Sequence, residues 1–261
     1  MEKKHLDLDG VPETLLIPLY AKARATKEKH EKVNDQKAVE IIDSIDYDFS
    51  KFNNSKMTYY GVLARTIIFD REMKKFIEEN PNAIIISIGC GFDTRFTRMD
   101  NGQIDWYNLD VPEVIEYRKQ FFNEENDRVH SIAKSAWDFS WTNEIINESG
   151  RPVLIFIEGV LMYFSKEQVQ LLFNEITKRF SGCYWICEFM SKFSVDHSSW
   201  HDSVPKVGCS FQWGISRGEE IEEMCPSLKM KGYWNLADEC PFFWKILTKY
   251  FNDTIGFYHN E

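Results

Sequence analysis

The turn Gly89-Cys90-Gly91-Phe92-Asp93 follows the apolar run Ala83-Ile84-Ile85-Ile86-Ser87-Ile88. A Gly-x-Gly turn at the carboxyl end of a buried strand lets the backbone approach a ligand closely, and the helix beyond it offers N–H groups. The dinucleotide fingerprint needs a third glycine, and counted from Gly89 that place holds Thr94. The turn therefore suits an adenosyl ligand without a pyrophosphate better than a nicotinamide dinucleotide. Asp110 stands about 20 positions after Gly89, where a carboxylate can accept hydrogen bonds from ribose hydroxyls. It can equally cap the helix that opens at Pro112.

Other side chains bear on the same ligand. Glu158 follows the run Val153–Ile157 and faces the crevice where open α/β sheets bind ligands. Asp138 is placed either to meet an adenine amino group or to cap its own loop. On a helical wheel Arg65 borders the apolar stripe beside Phe69 and Phe76, whereas Arg71 and Lys75 fall on the opposite side. A guanidinium beside a buried face needs an anion, supplied by a ligand carboxylate or internally by Asp70 or Glu72. His197 and His201 are four apart and flanked by Asp196 and Asp202, so a metal site or a base could be built from them. Two exposed histidines in a polar loop account for them more simply, and no metal is expected.

These residues need rigid elements. Asn34 or Asp35 can cap a helix whose apolar positions are Ala38, Val39, Ile41, Ile42 and Ile45. A second helix is expected from about Thr58 to Glu79, ended by Pro81. Then the period changes. Continuous or alternating apolar runs predict strands at 83–88, 104–109, 128–133, 153–157 and 184–189, with two more near 228–234 and 254–259. Helices lie between them, one opening at Pro112 and one at the capping box Ser165–Gln168. Alternating strands and helices argue for a doubly wound α/β sheet. Residues 190–226 read as irregular.

The 261 residues carry 31 Lys+Arg against 41 Asp+Glu, a net charge of −10. That balance counts against nucleic acid and anionic membrane surfaces as partners. No stretch approaches the roughly 18 apolar residues of a membrane span. No apolar segment follows the first lysines, so a cytoplasmic location is expected. Cys90, Cys183, Cys187, Cys209, Cys225 and Cys240 contain no CxxC pair and read as reduced structural thiols. The basic stretch Lys22–Lys32, interrupted by Glu28 and Glu31, reads as a solvated helix face.

Ile86-Ser87-Ile88-Gly89-Cys90-Gly91-Phe92-Asp93-Thr94-Arg95 resembles motif I of the leucine carboxyl methyltransferase family. Leu109–Val114, Glu158–Tyr163 and Arg65-Thr66 ahead of Asp70 match its other blocks. Thr14–Tyr20 and Phe211–Gly214 resemble its bacterial branch of tetracenomycin-type polyketide O-methyltransferases. The resemblance runs from about residue 12 to 215. It implies a class I methyltransferase fold: α/β, Rossmann-like, a mostly parallel seven-stranded sheet with helices on both faces and a helical N-terminal lid. It also implies S-adenosylmethionine (SAM) as donor.

By position, the resemblance puts Arg65 on the methionine carboxylate and Gly89, Cys90, Gly91 and Asp93 around the donor. Asp110 would take the ribose hydroxyls, Asp138 the adenine, and Glu158 the methionine amino end. Tyr163 would lie beside the sulfonium and acceptor, with Glu158 and Tyr163 as the catalytic pair. Lys22 is the nearest candidate for the family's N-terminal lysine. One methyltransferase domain over 1–261 is expected. It comprises a helical cap at 1–80, a donor-binding core at 81–189, an acceptor-side insertion at 190–226 and C-terminal strands at 227–261. Trp200, Phe211 and Trp213 are candidate walls of an aromatic pocket.

The expected reaction is methyl transfer to a carboxylate or hydroxyl of a small, polyketide-like or aromatic acceptor. No His or Lys in the motif blocks stands out as a base, which inclines the reading toward an already ionised carboxylate. A SAM-binding protein without turnover and a nicotinamide-dependent oxidoreductase are the competing classes. Glu158 and Tyr163 count against the first, and the missing third glycine against the second.

Overall fold

The run Ile84–Ile88 needs no polar alternation because both of its faces are covered. A computed structural model describes residues 4–5, 13–123, 126–147, 149–202, 210–241, 245 and 251–261. In it, Ile84, Ile86 and Ile88 of strand β1 (Ile84–Ile88) share a core with Val169, Leu172 and Phe173. Ile85 points the other way, into a second core with Ala64, Phe69 and Met73. Successive side chains of a strand alternate faces, so two helical layers claim every position.

The other strands of this seven-stranded sheet are β2 (Asp105–Asp110), β3 (Val129–Ala133), β4 (Val153–Ile157), β5 (Tyr184–Phe189), β6 (Leu228–Asn235) and β7 (Thr254–Asn260). Their order is β3-β2-β1-β4-β5-β7-β6. The first five are mutually parallel, and β7 runs antiparallel to both of its neighbours. All seven lie close to their expected bounds. The strand order reverses between β1 and β4, and a crevice opens at their carboxyl ends.

The helices are α1 (Glu13–Lys27), α2 (Gln36–Ser44), α3 (Lys56–Glu79), α4 (Phe96–Met99), α5 (Pro112–Lys119), α6 (Lys166–Arg179), α7 (Lys192–Asp196) and α8 (Glu219–Met224). Asp35 caps α2, accepting from Ala38 N at 2.9 Å. Pro112 opens α5, and both hydrogen bonds of the Ser165–Gln168 capping box are made at α6. None of the described helices is long and apolar enough to cross a membrane.

Three expectations change. Residues 1–80 are not wholly helical, since Lys4–His5 pairs in parallel with Ile45–Asp46. The stretch 190–226 holds α7, a 3-10 turn at Ser198–Trp200 and α8; these pieces are of three to six residues, too short to leave a periodic pattern, and of the three only α7 has a side-chain cap, from Ser191. Lys22–Lys32 is not a uniformly solvated face. The inward stripe of α1 includes Leu16, Leu19 and Ala23, and Lys22 falls within it, only 3 % exposed.

Candidate active site

The carboxyl ends of β1, β2, β4 and β5 meet at a cavity of about 740 Å³, within the range of small-molecule sites. Its floor is the turn after β1. Gly89 holds φ +69°, and a Cβ placed there would lie 2.4 Å from Val160 Cγ2. At Gly91 a Cβ would meet Leu15 Cδ2 at 2.8 Å, so only backbone fits. Gly89 N and Cys90 N both donate to Leu109 O, at 2.8 and 3.1 Å. Arg118 Nη1 donates to Gly91 O and Asp93 O, at 3.0 and 2.7 Å, and holds the turn from beneath.

Asp110 borders this floor. Its Oδ2 accepts from Gly91 N and its Oδ1 from Val111 N, both at 2.8 Å. The cap position of α5 is Val111, so Asp110 is not that helix's cap. Burial pushes its carboxyl above the ordinary value, against the pull of these two N–H groups and of Arg118.

The wall toward β4 and β5 is a continuous network of charges. Lys22 lies 3.6 Å from Asp35, and Asp35 meets Arg98 at 3.3 Å. Asp70 bridges Arg98 and Arg95, at 2.6 and 2.7 Å. Arg95 pairs with Asp93 and lies 2.5 Å from Glu158. Arg65 stands between Glu158, 2.8 Å away, and Glu188, whose two oxygens accept from Arg65 Nη1 at 3.1 and 3.0 Å. The internal partners expected for Arg65 are thus taken by others: Asp70 by Arg95 and Arg98, Glu72 by Arg71 and Lys75.

Burial works against the Asp93 carboxylate, but Arg95, Lys22 and Arg98 hold it well below the usual range. Burial opposes the Arg65 charge too, and Glu188 and Glu158 outweigh it. Lys22, Arg65, Arg95 and Arg98 face Asp35, Asp70, Asp93, Glu158 and Glu188, one carboxylate in excess, which suits a ligand end carrying positive charge. The contacts of Glu158 have ion-pair distances without hydrogen-bond alignment. Among the described residues, the buried atoms Arg65 Nε, Arg95 Nη2 and Glu158 Oε2 make no hydrogen bond.

Above this wall lies an apolar roof. Tyr163 packs on Phe211 with ring centroids 5.8 Å apart, beside Met162 and Met190. Gln212 N donates to Met162 O at 2.7 Å and fastens the roof to the segment after β4. Trp213 belongs to the core against Phe189, and Trp200 is 61 % exposed, so only Phe211 of the three expected aromatics lines the cavity.

His197 and His201 are not exposed; α7 and the turn after it fold over the cavity and bring both into its lining. The His197 ring stacks on Phe193, and its Nδ1 donates to Phe193 O at 2.9 Å. Burial holds the His201 imidazole down to about 4, helped by Arg65 against Asp202.

Asp138 does not join the site. It caps the 3-10 helix Phe139–Glu144, accepting from Ser140 N at 3.1 Å, and faces solvent. The cavity wall there is Ser135-Ala136-Trp137. Sequence reasoning missed Glu188, whose one signal is a lone carboxylate in the apolar strand Tyr184–Phe189. It left Lys22 without partners. Burial pushes the Cys183 and Cys240 thiols up to about 12 and 11, so both stay protonated. Cys209 lies outside the described residues.

A family model described as leucine carboxyl methyltransferase matches residues 16–177. The tetracenomycin polyketide synthesis O-methyltransferase TcmP of Streptomyces glaucescens is 27% identical over 236 residues, 90% of this chain and 86% of its own. The S-adenosyl-L-methionine-dependent methyltransferase dpfgK of Gibberella zeae is 28% identical over 251 residues, 88% and 84% of the two chains. Among solved structures, a provisionally assigned methyltransferase from Thermobifida fusca superposes with a TM-score of 0.64 at 14% identity, covering 94% of each chain. At that identity the likeness is one of fold.

Proposed function

Because this chain belongs to the leucine carboxyl methyltransferase family, we propose that its cavity holds SAM against the turn after β1 and a small oxygen acceptor beneath the roof. The protein is a SAM-dependent methyltransferase of class I fold. The observation that carries the placement is that Glu158 Oε2 and Arg65 Nε, buried on the wall, stand at ion-pair distance from their neighbours but make no hydrogen bond. The amino-acid end of SAM brings an ammonium for the first and a carboxylate for the second. The floor fits as well: Gly89 and Gly91 leave no room for a Cβ, and the buried Asp110 carboxylate suits ribose hydroxyls. Adenine would lie along Ser135-Ala136-Trp137 in place of the Asp138 contact.

SAM, when bound, supplies a methyl group on a positively charged sulfur that an oxygen displaces in line. The chain's part is alignment and exclusion of water. Tyr163, Met162, Met190 and Phe211 form the apolar lining that does so on the acceptor side. TcmP is named an O-methyltransferase of polyketide synthesis, and with the aromatic roof this supports a carboxylate or hydroxyl on a flat acceptor. A carboxylate is ionised at pH 7 and needs no base, whereas a phenol with pKa near 10 does. His201, its imidazole held down to about 4 by burial, is a weak base, which favours the already ionised carboxylate.

Calorimetric titration with S-adenosylhomocysteine tests the placement. Wild-type protein should bind it, and Asp110→Ala should weaken binding at least ~10-fold, about 1.4 kcal/mol. Folded wild-type protein that takes up no S-adenosylhomocysteine sinks the reading.

A further inference from the structure

Glu188 is 1 % exposed and lies in an otherwise apolar strand. A buried carboxylate is costly unless it is charge-paired and hydrogen-bonded, and here every partner belongs to the donor wall. Ile157 and Cys187 are paired across β4 and β5, so Glu158 and Glu188 leave adjacent strand ends side by side. Two like charges there require a cation between them, and Arg65 fills that place. Glu188 takes Arg65 Nη1 on both of its oxygens. Its Oε2 also accepts from Gly159 N at 2.7 Å, in the turn that carries Glu158. A Cβ on Gly159 would lie 3.7 Å from Arg65 Nη2, so the guanidinium packs close against that turn.

Glu188 thus binds helix α3, through Arg65, to the turn after β4. Removing its charge would release Arg65 Nη1 and leave the guanidinium, 2.8 Å from Glu158 through Nε, without its second anchor. A displaced guanidinium no longer meets the amino-acid end of the donor. We infer that Glu188 is a positioning residue for donor binding, anchoring Arg65 by its Nη1 against the turn that carries Glu158 so that both face the amino-acid end of the donor. This rests on the donor placement proposed above.

The test compares S-adenosylhomocysteine with 5′-methylthioadenosine, which lacks the amino-acid end. Glu188→Gln should weaken the first at least ~10-fold and the second less than ~2-fold, with Tm within a few degrees of wild type. Glu188→Asp should restore part of the loss. In an Arg65→Met background, Glu188→Gln should add nothing, because the residue it acts through is gone. Equal weakening of both ligands, unchanged binding of both, or a full additional loss in the Arg65→Met background overturns the inference. Should Glu188→Gln not fold, Glu188→Asp carries the same comparison. Wild-type protein that binds neither ligand overturns the donor placement instead.

Discussion

At Gly89 the backbone and the packing of Val160 make the same demand. Its φ of +69° and the 2.4 Å approach of Val160 each exclude a side chain, whereas Gly102, with φ +81°, has nothing within 4 Å of its would-be Cβ. The pair separates strain from crowding. Both Gly→Ala changes should cost about 1–2 kcal/mol of stability from the left-handed backbone alone. Gly89→Ala should in addition weaken S-adenosylhomocysteine binding at least ~10-fold, while Gly102→Ala leaves it at the wild-type value. Equal affinities in the two variants would remove the turn from the donor site. The residues legible in the sequence are those that end strands or turns at countable spacings: Gly89, Gly91, Asp110 and Glu158. Arg65 was legible as a charge near a buried face, but its partners were not, because Glu158 and Glu188 lie far along the chain. Asp138 had two readings of similar merit, and a single local bond to Ser140 decided for the cap.

Helix α3 carries Arg65 and begins without a side-chain cap of its own. Ser55 makes no cap bond; its hydroxyl donates to Asp202 O at 2.9 Å. Asp202, 145 positions beyond Met57, takes over: its carboxylate accepts from Met57 N at 2.8 Å and Thr58 N at 3.1 Å. A negative charge at a helix N-terminus satisfies orphan N–H groups and opposes the helix dipole. Asp202→Ala should cost about 0.5–2 kcal/mol and lower Tm by a few degrees. Hydrogen exchange at Met57 and Thr58 should quicken more than in the middle of α3. Unchanged exchange there would show that another group caps the helix. Strands and long helices were legible because burial on two faces or one stripe writes a period into the residues. The segment over the cavity was not, because one aspartate bonded across the fold leaves no period to read.

At the scale of the molecule, two half-buried titratable groups flank that segment. Asp253 Oδ1 accepts from Ser191 N at 2.8 Å and Ser194 Oγ at 2.6 Å, at the start of α7; His201 follows its end. Burial pushes the Asp253 carboxyl up to about 7, with Glu188 adding to the push against the bonds from Ser194 and Ser191. The folded state therefore keeps a proton that the unfolded chain releases near pH 4, and stability falls as pH rises from about 4 to 7. His201, held down to about 4, does the reverse. The unfolded chain binds a proton below about 6.5 that the folded state refuses, so stability rises with pH from about 4 to 6.5. One proton each way cancels across the shared window, and wild-type Tm should show little net slope from this pair. Single variants uncover it. Asp253→Asn retains an acceptor oxygen for both bonds and should melt several degrees above wild type at pH 8, the gap closing toward pH 5. His201→Gln should melt above wild type at pH 5, relative to their difference at pH 8. Tm measured for the three proteins at pH 5, 6.5 and 8 checks this. Gaps that do not change with pH would mean that neither group titrates between the folded and unfolded states, and that the segment over the cavity is held without regard to charge.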